Sequence, residues 1–197
     1  MGGFNSFIAD QRKLPGELRV TLYQFDTVYE TVYQNCSVHA VPPLQLVPRG
    51  GTALLDAVGQ AINQTGQRLS AMPEHERPCR VIFMIITDGQ ENSSHEFTNK
   101  QIKDMVQHQE STYSWTFIFL GANQNAFHEA CTIGVQSGNT MNFAANSKSS
   151  RAVYQNMSGK FAAIRGTGGA AHKSGEFYTA VDYAEQTALG ATNNPTD

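Results

Sequence analysis

The chain has 197 residues, 40% hydrophobic and 16% charged, with a net charge of −3. That length suits one domain with a short appendage, and weak acidity with no Lys/Arg cluster argues against a nucleic-acid or anionic-membrane surface. No apolar run reaches membrane-spanning length, and the N-terminus has no basic start followed by an apolar stretch, so neither a membrane span nor a secretory signal is expected.

The elements can be taken in chain order. Phe4, Phe7 and Ile8 share one helical face, and Pro15-Gly16 stops that helix. Residues 18–25 alternate and are β-rich, so they predict a strand, and Asp26-Thr27 turns the chain into a second short strand at 29–33. Residues 41–48 form a proline-punctuated loop. A long helix is predicted from Thr52, where Leu55, Val58, Ile62, Thr65 and Leu69 step by three and four; Met72-Pro73 ends it. Residues 81–87 are continuously apolar up to Thr87, which predicts a strand buried on both faces in a parallel sheet.

Thr98 with Gln101 makes a capping box for a helix carrying Ile102, Met105 and Val106. Residues 115–120 read as another apolar strand, 126–133 as a short helix closed by Gly134, and 140–144 as a short strand. Val153, Met157, Phe161 and Ile164 mark a last amphipathic helix ending near Gly166. Residues 166–175 are glycine-rich, with the composition of a mobile linker, and 176–197 have no clear period. The expected organisation is a domain over 1–166 and a linker with an undefined tail over 167–197. Strands alternating with helices predict an α/β fold: a doubly wound, mostly parallel central sheet with helices on both faces. In such sheets ligands sit beyond the carboxyl ends of the strands, where Asp26, Asp88 and Asn123 fall.

Cys36, Cys79 and Cys131 are widely spaced and odd in number, which suggests reduced thiols and a cytoplasmic setting. A small, cysteine-poor chain without a signal fits a bacterial or phage protein. Gly2 and Ser6 match the short myristoylation pattern, and three Asn-x-Ser/Thr triplets occur, but chance supplies both readily.

Two pieces stand out together: Arg49-Gly50-Gly51-Thr52-Ala53-Leu54-Leu55-Asp56 and Ile85-Ile86-Thr87-Asp88-Gly89. Separately each has a structural reading. Thr52 suits a helix N-cap, Asp56 suits the helix dipole, and Asp88-Gly89 is a common turn pair. In this βα setting they resemble the von Willebrand factor A domain. Leu22-Tyr23-Gln24-Phe25-Asp26 is similar to that family's second strand, and Phe4-Asn5-Ser6-Phe7 to the end of its first helix; the resemblance runs from about residue 3 to about residue 165.

The resemblance implies a protein-binding module with a metal-ion-dependent adhesion site. In the family this site holds Mg²⁺ through a D-x-S-x-S motif, a Thr and an Asp, and recognises an acidic side chain of a protein partner. By matching, the Thr is Thr52 and the Asp is Asp88; with these two alone, Mg²⁺ binding is expected to be weak. D-x-S-x-S does not appear, and the family's first strand would lie ahead of residue 1. Its loss would leave a gap between the strands at 18–25 and 81–87. Three outcomes are open: a longer natural protein, which is the expectation; direct closure of the flanking strands; or filling by another segment, such as 176–183 or a second chain.

The alternative function is a metal-free scaffold of the same fold. An enzyme finds no motif to carry it. His75-Glu76, His95-Glu96 and His128-Glu129 start like H-E-x-x-H, but the fourth following positions are Cys79, Asn99 and Thr132. Gly166-Thr-Gly-Gly-Ala-Ala171 follows a helix where a dinucleotide loop follows a strand. Cys79 lies between Arg77 and Arg80, with only His75 near it as a base.

Overall fold

The computed structural model describes residues 2–45, 50–122, 125–166 and 176–193. It is a mixed α/β arrangement of six helices and two separate β-sheets among those residues. Helix α1 (Gly2–Gln11) leads into a two-stranded antiparallel sheet of β1 (Arg19–Phe25) and β2 (Tyr29–Ser37). Helix α2 (Leu54–Ser70) follows, then the parallel sheet β3 (Ile82–Thr87), β4 (Thr116–Ala122) and β5 (Thr140–Phe143), in that order across the sheet. Helices α3 (Asn99–Tyr113), α4 (Ala126–Thr132), α5 (Ser147–Gly166) and α6 (Ala180–Ala188) complete the fold. No helix among the described residues is long and apolar enough to cross a membrane.

Local signals set several boundaries. The capping box of α3 forms as expected: the Thr98 hydroxyl accepts from the Gln101 N–H, and the Gln101 side chain accepts from the Thr98 N–H. Gly134 takes a φ of +85° and closes α4, a conformation that penalises any side chain with a Cβ. Strand β2 is longer than its predicted 29–33. Its extra residues are absorbed by irregular pairing around Asn35, whose φ is +52° and whose N–H reaches the Thr21 hydroxyl.

Strand alternation divides the core in two. Phe83, Ile85, Phe117 and Phe119 point into one apolar cluster with Leu54, Val58, Ile62, Ile102 and Ala130, drawn from α2, α3 and α4. Ile82, Met84, Ile118, Leu120 and Met141 point to the opposite face and pack with Phe7, Ile8, Val153, Met157 and Phe161 of α1 and α5. Within β3 and β4 even residues go one way and odd the other, as a pleated strand requires. β1 joins the same two clusters, with Val20 in the second and Phe25 in the first.

Two expectations are corrected here, and one open segment is defined. Residues 81–87 are not buried throughout: Ile82, Met84 and Ile86 remain half-buried, while Phe117, Ile118, Phe119 and Leu120 of β4 are 0% exposed. The two strands are equally apolar, but among the described residues β4 has a partner strand on each side and β3 on one side only. Helix α2 begins at Leu54, not Thr52, and its cap residue is Ala53, whose side chain supplies no cap. The segment after 176 is ordered by a second capping box, Thr179 with Asp182, which starts α6. Phe177 and Tyr178 sit in the second cluster, and Lys160 of α5 pairs with Asp182 at 2.8 Å. The predicted glycine-rich linker at 167–175 lies outside the described residues.

Arg165, in the last turn of α5, fastens the start of the chain. Its Nη1 donates to the Gln11 carbonyl at 2.6 Å, and its Nη2 to the carbonyls of Leu14 and Gly16 at 3.1 and 2.7 Å. These carbonyls lie at or just past the end of α1, where the helix runs out of donors; that of Gln11 also accepts from the Leu14 N–H at 3.3 Å. Phe7 meets Phe161 edge-on at 5.1 Å, so α1 and α5 are joined by packing as well.

Candidate functional site

The carboxyl ends of β1 and β3 converge on the loop that starts α2. The Asp26 carbonyl, just past β1, accepts from the Ala53 N–H at 2.7 Å. The turn after β3 packs on Thr52 so closely that a Cβ built on Gly89 would collide with the Thr52 hydroxyl. Thr52 is thus not a helix cap; its hydroxyl is directed at the Asp88-Gly89 turn. The Thr52 N–H donates to the Asn92 side chain at 3.0 Å, and the Asn92 N–H returns a bond to the Thr52 carbonyl at 3.1 Å. Thr87 tightens the turn through its hydroxyl, which donates to the Gly89 carbonyl at 3.0 Å.

The capping of α2 comes from across the site. Glu91 Oε2 accepts from the Leu55 N–H at 3.0 Å and from the Ser94 hydroxyl at 2.7 Å; its Oε1 accepts from the N–H groups of Ser93 and Ser94. The Ser94 hydroxyl in turn accepts from the Asp56 N–H at 3.1 Å. Asp56 reciprocates: Oδ2 accepts from the His95 N–H, and Oδ1 from those of Glu96 and Phe97, at 2.7–2.9 Å. Two orphan donors of a helix end are satisfied by a loop 36 and 38 residues downstream. Phe97 lies flat against Gly59, where any side chain would clash at 2.8 Å, so the loop is locked to α2 along its length.

Both carboxylates are committed. Burial raises the pKa of each, but the backbone N–H groups aimed at Asp56 and the four bonds on Glu91 outweigh it, holding both below the ordinary carboxylate range. Asp88 is different: it is exposed and makes no hydrogen bond with the described residues. Asp26 lies at the same end, with one carboxylate oxygen accepting from the Val28 N–H at 2.6 Å, as a turn residue does. Asn123 and Arg49 lie outside the described residues.

The donor set can be tested against Mg²⁺. A resident Mg²⁺ takes about six oxygens in near-octahedral array, several of them waters. Thr52 and Asp88 offer two side-chain oxygens, and the neighbouring carboxylates of Asp56 and Glu91 are occupied by N–H groups. Among the described residues no group of three His, Cys, Asp or Glu could hold a metal. These residues make a partial shell and do not fit a firmly held ion.

Glu91, Asn92 and Ser94 were not singled out from the sequence. Their signal was the run Glu91-Asn92-Ser93-Ser94 just after an Asp-Gly turn, all side chains that readily hold backbone N–H groups. No family model, no curated protein and no solved structure matches the chain.

Proposed function

We propose that this protein is a binding module of the von Willebrand factor A type, built on a doubly wound sheet, that recognises a protein partner at the loop end formed by residues 51–53 and 88–94. The observation that carries the reading is the convergence of β1, β3 and the start of α2, with the Thr52 hydroxyl held against the turn that exposes Asp88. Apolar clusters on both sides of a parallel sheet support the doubly wound layout. The loop is fixed before any partner arrives, because Glu91 and Asp56 clamp it from both sides. Preorganisation of this kind lowers the ordering cost of recognition. Asp88 is the one carboxylate of the cluster left facing solvent, so it is the group that meets a partner's N–H or ammonium directly, or an acidic side chain through Mg²⁺ if further oxygens complete the shell.

Amide NMR with added MgCl₂ tests the reading. Weak, saturable shifts centred on Thr52, Asp88 and Gly89, with a dissociation constant on the order of millimolar for so few ligands, are expected; Asp88→Ala should remove them. Shifts that survive Asp88→Ala, or none at all, would favour the metal-free scaffold.

A further inference from the structure

Among the described residues β5 ends the parallel sheet, with β4 on one side and no strand on the other. Its four residues, Thr140–Phe143, include neither a charge nor a proline, so the strand lacks the usual side-chain protection of a bare edge. Alternate residues of a strand turn their backbone groups to the same side. Thr140, Asn142 and, just past the strand, Ala144 share the side away from β4, and each of their N–H groups has an acceptor outside the sheet. Thr140 donates to the Ser137 carbonyl, Ala144 to the Ser149 hydroxyl at 2.9 Å, and Asn142 to the Asn193 side chain at 2.9 Å. Asn193 also donates its NH₂ to the Asn142 carbonyl at 3.1 Å. One side-chain amide thus makes both bonds that a residue of an added antiparallel strand would exchange with Asn142.

The end of α6 delivers that amide. Gly190 takes a φ of +97° and turns the chain back after the helix, and the Ala191 N–H returns to the Gln186 carbonyl at 3.0 Å. Ala191 is buried, and the Thr192 carbonyl accepts from the Asn142 side chain at 2.6 Å. The Asn142 side-chain oxygen accepts from the Ala126 N–H, so Asn142 ties α4 and the chain after α6 to one strand. Gln186 accepts from the Ser149 hydroxyl at 2.6 Å, which holds the acceptor of Ala144 from α6 as well.

We propose that residues 186–193 are an edge guard: they close the outer side of β5 against antiparallel pairing with β5 of a second copy of this chain. The second copy is the partner because two bared β5 edges meet in a self-complementary, two-fold contact, which needs no other matching surface. The uncharged strand adds no repulsion to it. Covering takes the place of the lysine or proline that other edge strands carry.

Two single variants of the full chain test this beside the parent. Asn193 lies past the last helix and is half-exposed, so its replacement leaves the fold in place. In Asn193→Ala the Asn142 amide should exchange at least about tenfold faster, while those of Met141 and Phe143, on the β4 side, change little. Sedimentation velocity from micromolar to millimolar protein should show a dimer of Asn193→Ala at concentrations where the parent sediments unchanged. Asn193→Asp also frees the Asn142 carbonyl but sets a charge on the edge, so it should not dimerise. An Asn142 amide unchanged in Asn193→Ala, association of that variant no stronger than the parent's, or equal association of Asn193→Asp would overturn the proposal. The inference does not depend on the loop site: Asp88→Ala should leave exchange at Asn142 and sedimentation as in the parent.

Discussion

Replacing Glu91 with alanine should cost the protein about 3 kcal/mol. The figure follows from what the side chain holds. The Leu55 N–H, in a residue only 6% exposed, loses its acceptor, and α2 has no cap of its own from Ala53. Loss of a helix cap costs about 1 kcal/mol, and loss of a negative charge at a helix N-terminus about 0.5 kcal/mol more. The N–H groups of Ser93 and Ser94 and the Ser94 hydroxyl are half-exposed, so water replaces part of what they lose; together they add roughly 1–2 kcal/mol. Glu91→Gln should fall between, because an amide keeps one accepting oxygen and turns an NH₂ toward donors. Urea unfolding measures the difference directly, and a thermal midpoint lowered by roughly 6–12 °C is the matching signature for a chain of this size. Amides of 93–97 should exchange faster in the variant. A change below about 0.5 kcal/mol, with 93–97 still protected, would refute the idea that Glu91 caps α2 from across the site.

Two further outcomes can be checked on the same material. Ile118→Ala should cost about 2–5 kcal/mol, as a fully buried isoleucine in the central strand, whereas Ile82→Ala in the half-buried β3 should cost about half as much; equal losses by urea unfolding would mean that β3 is packed as fully as β4. Stability should also fall in acid. Burial raises Asp56, Glu91 and Asp182, but the N–H groups on the first two, and Lys160, Thr179 and Asn156 on the third, bring all three below their unfolded values. The unfolded chain then binds more protons, so the contribution is complete above about pH 4–5 and is lost as pH falls through the lower folded values. Urea midpoints between neutral pH and pH 3 should show this, and Asp56→Asn with Glu91→Gln should flatten the curve.

Much of the secondary structure was legible because its causes are local. The Thr98–Gln101 box spans four residues, and Gly134 fixes its own turn. The Thr179–Asp182 box was equally local, but the nine residues of α6 are too few for a helical period to emerge. The failures depended on distant partners. Thr52 looked like a helix cap because nothing in residues 49–56 says that Glu91 and Ser94 perform that duty from 36 and 38 residues away. The run at 81–87 looked doubly buried because apolar character reports what a strand can bury, not whether a neighbour stands beside it. At the site, the position of Asp88 at the end of β3 followed from alternation of strands and helices, whereas Thr52 was paired with it only through the family resemblance. The carboxylate clamp behind them did not, since it arises only when two loops meet.

The grip of Arg165 on Gln11, Leu14 and Gly16 has a consequence for synthesis. Its partners leave the ribosome about 150 residues earlier, which at roughly 5–20 residues per second is roughly 8–30 s. During that interval α1 has its apolar stripe, Phe7 and Ile8, and no α5 to receive it. Helix α1 is made well before it is secured, so the nascent chain passes through a period in which α1 is open to chaperones and proteases.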